Sequence, residues 1–147
     1  MNGYAFTYTL HHVLLLKLLA ALPFDRVRTL HNFFFLALAN CPAAQCSGIR
    51  YEFYKGATGV HSFEIQSFVD DLKKSGLVCE EALALTKAGR EFYCQVASLL
   101  HYERFPAYCL QLAGNYRDSL WRVNHEVIFH PLFRKSKTGR KILLPPA

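Results

Sequence analysis

His125, Glu126 and His130 are the nearest approach in this chain to a metal-dependent hydrolytic centre. Zinc hydrolases with an H-E-x-x-H motif need two imidazoles one helical turn apart, with the glutamate as general base. Here the spacing is H-E-x-x-x-H, and a five-residue step sets the two rings about 140° apart on a helix. Val127, Ile128 and Phe129 between them favour a strand. His11-His12 and His101 fall in no metal or triad spacing, and H-x-H and a Gly-flanked nucleophilic Ser are both absent. The chain therefore reads as a protein that is not an enzyme and uses no cofactor.

The five cysteines (Cys41, Cys46, Cys79, Cys94, Cys109) are odd in number and follow no secretory signal, so they read as reduced thiols in a cytoplasmic protein. Cys41 and Cys46 share a loop with Pro42, but no second Cys or His pair stands at zinc-binding spacing. The apolar run Val13 to Leu16 is broken by Lys17 and stops before Pro23, too short to cross a bilayer, so no membrane partner is expected.

Charge is the stronger chemical signal. Arg134, Lys135, Lys137, Arg140 and Lys141 lie in eight residues with no carboxylate, and without them the net charge of +6 falls to about +1. Such a run either sits on phosphates or extends into solvent. Arg50, Lys55 and His61 surround a turn before a helix capped by Ser62. There they would hold a phosphate near the helix N-terminus, or serve as ordinary turn residues.

Ile65, Phe68, Val69 and Leu72 form the core face of that helix, which leaves Glu64, Gln66, Ser67, Asp70, Asp71, Lys73 and Lys74 outward. Three carboxylates against two lysines make a poor surface to push between phosphates. On duplex DNA, Gln66 and Ser67 are the base-reading candidates and Lys73 and Lys74 the flanking cations. Asp70 and Asp71 would have to turn back toward protein or solvent.

The elements that position these residues follow from period and punctuation. Helices are predicted over Tyr8–Ala21, stopped before Pro23, and over Arg26–Asn40 with Asp25 as N-cap. The second is apolar almost all round and should be central. After a loop over 42–48, Ile49, Tyr51 and Phe53 alternate with polar neighbours as a short half-buried strand. Gly56 and Gly59 mark a turn, and a helix follows over Phe63–Lys74, ended by Ser75-Gly76. Leu77–Cys79 and Ala82–Leu85 suit two strands, with Glu80-Glu81 between them. Thr86 then caps a helix over Lys87–Leu100, and further helices are expected over Phe105–Ala113 and near Trp121.

Thr29 to Leu36, Phe53-Tyr54, Gly59-Val60-His61-Ser62, Asp70-Asp71-Leu72, Gly76-Leu77 and Leu85-Thr86-Lys87-Ala88-Gly89 together resemble a family of small prokaryotic winged helix-turn-helix domains. Val60 stands where that pattern usually has Pro, and His31-Asn32 replaces a Gln-Lys pair. The resemblance implies a mainly α fold with a small β-hairpin, a winged helix-turn-helix with an appended C-terminal helical region. Residues 1–100 are expected as the winged-helix domain, 101–133 as a helical, aromatic extension packing on it, and 134–147 as a basic tail. Relatives of this shape include transcription regulators, antitoxins and phage-defence components.

Two functions follow. One is a nucleic-acid-binding protein on double-stranded DNA, a small regulator or the DNA-sensing part of a mobile-element or phage-defence system. The other is a protein-interaction module without DNA binding, forming a homodimer or meeting a larger partner through Phe105, Tyr108, Leu112, Tyr116 and Trp121.

Overall fold

The computed structural model describes residues 7–46 and 48–145. Residues 1–6 of the expected winged-helix domain, Ser47 in the 42–48 loop, and 146–147 of the expected tail lie outside the described residues. The described chain is mainly helical, with one three-stranded antiparallel sheet.

Helix α1 (Leu10–Ala21) begins two residues later than predicted because Thr9 caps it. The Thr9 side chain accepts from His11 N, and Thr9 N donates to His12 Nδ1 at 2.8 Å, so a histidine takes the returning place in the capping box. Helix α2 (Val27–Asn40) starts after Arg26, which makes no side-chain cap bond; the expected Asp25 cap lies one residue too early. Both helices are buried on nearly every face. Leu14, Leu15, Leu16, Leu18, Leu30, Phe33, Phe34, Phe35 and Leu36 are all 1% exposed or less. The 42–48 loop contains a short helix, α3 (Ala43–Cys46).

Strand β1 (Phe53–Lys55) pairs with β2 (Val60–His61) across the Gly56–Gly59 turn. The predicted inward alternation of Tyr51 and Phe53 is present, but the ladder starts only at Phe53, where partner strands begin. Ser62 then caps α4 (Phe63–Lys74) by accepting from Ile65 N, as the sequence requires.

Beyond α4, the two predicted strands reduce to one bridge, Val78 with Leu85, flanked by the bond Cys79 N to Ala84 O at 2.9 Å. Val78, Leu83 and Leu85 are buried, while Glu80, Glu81, Ala82 and Ala84 are exposed. Those exposed positions carry no large apolar side chain to extend a ladder. Thr86 caps α5 (Lys87–Val96), which passes into a 3₁₀ turn (Ala97–Leu100) instead of continuing as α-helix. Gly89 is required there, because a Cβ would lie 2.0 Å from the Leu77 carbonyl oxygen. Gly89→Ala should therefore destabilise the fold by roughly 2–3 kcal/mol, as backbone overpacking does; a thermal melt coincident with the parent's would contradict this close approach.

The last third is α6 (Arg104–Gly114), α7 (Trp121–Phe129), α8 (Pro131–Lys135) and strand β3 (Lys141–Ile142). The strand expected around Val127–Phe129 is a helix. Val123 and Val127, both 0% exposed, face α2 one turn apart, and this tertiary packing overrides β-propensity. Sheet order is β2-β1-β3, with Phe53 opposite Ile142 and Tyr54 opposite Lys141. The stretch expected as a tail thus returns to the sheet, anchored by Ile142 at 2% exposure.

Polar side chains fasten the centre. Asn32, 0% exposed, accepts from Val60 N at 2.9 Å and donates to Asn124 Oδ1 at 2.7 Å. Asn124 in turn donates to Thr29 Oγ1 at 3.0 Å. One α2 side chain therefore ties the β-hairpin to α7. A Cβ on Gly59 would lie 2.6 Å from Asn32 Oδ1, so the turn is glycine because the asparagine needs that space.

Candidate nucleic-acid interface

Antiparallel pairing sorts the sheet into two faces. Phe53, Val60 and Ile142 point inward and are buried. Lys55, two residues from Phe53, follows them to the inner side. Its ammonium donates to the carbonyls of Phe133 at 2.9 Å and Ser136 at 3.0 Å and lies 4.4 Å from the Phe133 ring centroid. Lys55 closes the end of α8 and is not offered to a phosphate. The same alternation, read from Phe53, carries this signal in the sequence.

On the outer face, His61, Tyr54 and Lys141 form one cross-strand row. Lys141 donates to Glu52 Oε2 at 2.6 Å, and that bond raises its pKa. Phe63, first residue of α4, stands over this row at 65% exposure. It meets Tyr54 edge-on at 5.6 Å and His61 at 4.8 Å between ring centroids.

Two clefts flank β3. One, about 330 Å3, is lined by Arg50, Glu52, Lys141 and Leu143 among others. The second, about 430 Å3, is lined by Lys135, Ser136, Lys137, Arg140, Lys141 and Leu143. The fold thus brings together five of the sequence candidates, Arg50, Lys135, Lys137, Arg140 and Lys141; among the described residues, Glu52 is the one carboxylate lining either cleft. Arg134 is exposed just before them at the end of α8.

Helix α4 is arranged differently from the sequence expectation. Glu64 Oε1 accepts from Glu52 N and from Ser62 Oγ, both at 3.0 Å, so the helix's own carboxylate occupies the N-terminal position considered for a phosphate. Gln66, a predicted base reader, is half-buried; it accepts from His31 Nε2 at 3.3 Å and donates to Asp70 Oδ1 at 3.0 Å. Asp71 accepts from His12 Nε2 at 2.9 Å. Ser67 and Lys74 remain exposed and Lys73 is half-buried. Phe68, placed in the core by periodicity, is half-buried and packs on the rings of His11, His12 and Tyr51.

His12, His31 and His130 serve the fold. His12 is 2% exposed, its Nδ1 accepts the Thr9 amide and its Nε2–H faces Asp71, so both ring nitrogens are occupied. His130 Nδ1 accepts from Leu132 N and caps α8, while its Nε2 donates to Asn40 Oδ1. His125 is exposed on α7, whereas His130 ends that helix and is bonded to Asn40 and to the start of α8. His31 accepts from Ser62 N at 2.8 Å through Nδ1, which places its proton on Nε2. Burial, and the neighbouring His61 stacked 4.9 Å away, push its pKa down to about 4.

This depression has a sign. Unfolded, His31 takes up a proton near pH 6.5; folded, it does so only near 4. Between those values the unfolded chain binds more protons, so stability is full above about 6.5 and declines as pH falls toward 4. His31 alone should contribute a loss on the order of 3 kcal/mol across that window. Burial lowers the His11 and His130 pKa values as well, adding in the same direction. Melting temperatures between pH 7 and 4 check this; a flat profile would contradict the buried neutral imidazole.

Of the residues expected to meet a protein partner, Phe105 and Tyr116 are buried and Tyr108 and Leu112 half-buried against the core. Only Trp121 of that set is open, at 66%, in a stripe along α7 with His125 and Phe129, the last 58% exposed. Cys41 lies beside Cys46, and burial, followed by that neighbour, pushes its thiol pKa up to about 12, away from nucleophilic use. Among the described residues, no helix is long and apolar enough to cross a membrane.

Tyr54 and Phe63 also belong to this surface, and no local spacing in the sequence marks them as members. Comparison with protein-family models, curated proteins and solved structures finds no match to this chain.

Proposed function

We propose that this chain is a nucleic-acid-binding protein of winged-helix type. It would act in the prokaryotic cytoplasm as a small regulator or as the sensing component of a mobile-element or phage-defence system. It meets phosphates with the clefts beside β3, not with the outer face of α4. The observation that carries this reading is the gathering of Arg50, Lys135, Lys137, Arg140 and Lys141 around one strand with a single carboxylate among the described lining residues. The order of helices, the bridged hairpin after α4 and the Ser62 and Thr86 caps support the winged-helix assignment.

Anisotropy titrations of the intact protein at several salt concentrations test this. Affinity should fall steeply with salt, with a log–log slope of roughly 3 to 5 for the clustered cations. Undetectable binding to any nucleic acid at low salt would overturn it.

One observation favours a protein partner instead. Trp121, Ile128 and Phe129 are exposed on α7, and aromatic anchors of this kind dominate protein interfaces. Under that reading Trp121→Glu abolishes self-association or partner capture; light scattering showing the same monomer mass for parent and variant argues against a homodimer.

A further inference from the structure

We propose that the nucleic acid this protein holds is single-stranded, with an unpaired base stacked on Phe63 and its backbone running along β3. This rests on the phosphate-binding role of the β3 clefts and adds the strand class. A phenylalanine at 65% exposure costs solvation, and here it is fixed in place. Tyr54 and His61 meet its ring at interplanar angles of 65° and 79°, edge to face, so its orientation is set before any ligand arrives. A rigid aromatic surface loses little entropy on stacking.

The neighbours supply the complementary charge. Tyr54 lies directly opposite Lys141 in the β1–β3 register, so a strand with one base on Phe63 reaches the Lys141 ammonium, where its phosphate competes with Glu52 (2.6 Å away). It runs on toward Arg140 and Lys137, which line the neighbouring cleft with no carboxylate among the described lining residues. Stacking platforms beside cationic grooves are the general design for unpaired strands, because every base has a π-face and every nucleotide a phosphate. A duplex keeps its base faces covered and has nothing to place on Phe63. The usual alternative, an α4 face reading a major groove, is weakened by Gln66 being engaged with His31 and Asp70.

The test is fluorescence anisotropy with a labelled oligo(dT) strand of roughly 20 nucleotides, longer than the usual site of a single-strand groove, and a duplex of equal length. The intact protein should bind the single strand about tenfold more tightly than the duplex. Phe63→Ala should weaken single-strand binding about tenfold without changing the salt slope, and Phe63→Trp should keep it. Because Phe63 is exposed, these substitutions leave the core unchanged, and a melt verifies this. Equal single-strand affinity for Phe63→Ala and the parent, or tighter binding of the duplex, overturns the single-strand assignment and leaves the phosphate-binding role standing. Absence of binding to either probe overturns both.

Discussion

Replacing Lys137, Arg140 and Lys141 together by glutamate should lower nucleic-acid affinity by at least about a thousandfold near physiological salt and flatten the salt dependence by roughly 2 to 3 units. Each lost cation removes a phosphate contact, and each new carboxylate repels the same phosphate across a distance within the Debye length. All three side chains are exposed, and the turn before β3 is held by backbone bonds: Arg140 N to Lys137 O at 3.0 Å and Gly139 N to Lys55 O at 2.8 Å. Losing the Lys141–Glu52 pair and setting a second carboxylate beside Glu52 both cost little, since the site is 46% exposed on either side and solvent screens it. The variant should therefore melt near the parent. Parental affinity in this variant, measured by anisotropy, would show that the β3 clefts do not carry binding.

Asn32→Leu should destabilise the fold by roughly 3–5 kcal/mol, through an orphaned buried amide and overpacking together. Leucine matches asparagine in shape but leaves the buried Val60 N–H without its acceptor and the half-buried Asn124 Oδ1 without its donor. Each buried group left unsatisfied costs about 1–3 kcal/mol, and the approach to Gly59 would crowd a branched side chain further. Denaturant unfolding reads this directly. A shift of well under about 1 kcal/mol would mean that the hairpin and α7 do not depend on this link.

Features governed by local rules are legible in the sequence. Ser62 and Thr86 cap their helices because a hydroxyl before an apolar-periodic run has an amide to accept within the next turn. The buried α2 and the inward Tyr51 and Phe53 follow from periodicity. What escapes depends on distant partners. Ile142 opens a short apolar run with Leu143 and Leu144 after a basic stretch, and nothing near it announces that Phe53 lies opposite. Asp71 looks like an outward carboxylate because its partner, His12, is 59 residues away. The same kind of distance hides the pairing of Asn32 with Asn124.

Phe63 shows the limit differently. Periodicity assigns Phe63 to neither the core face nor the outward set of its helix, and only the placement of β1 and β2 reveals it on the surface beside Tyr54. Lys55 is readable after all, since counting by two from Phe53 sends it inward and away from any phosphate. The basic stretch is legible as charge but not as structure. Composition identifies the five cations, and the fold turns four of them from a tail into the walls of two clefts, with Arg134 beside them.

The most direct test of the account is a map of amide chemical shifts in the intact, isotope-labelled protein titrated with an oligonucleotide. Shifts should concentrate at Arg50, Tyr54, Phe63 and the stretch from Lys135 to Lys141, with Ser67 and Lys74 on the outer face of α4 unmoved. A footprint centred on Ser67, Lys73 and Lys74 instead, with β3 silent, would contradict it.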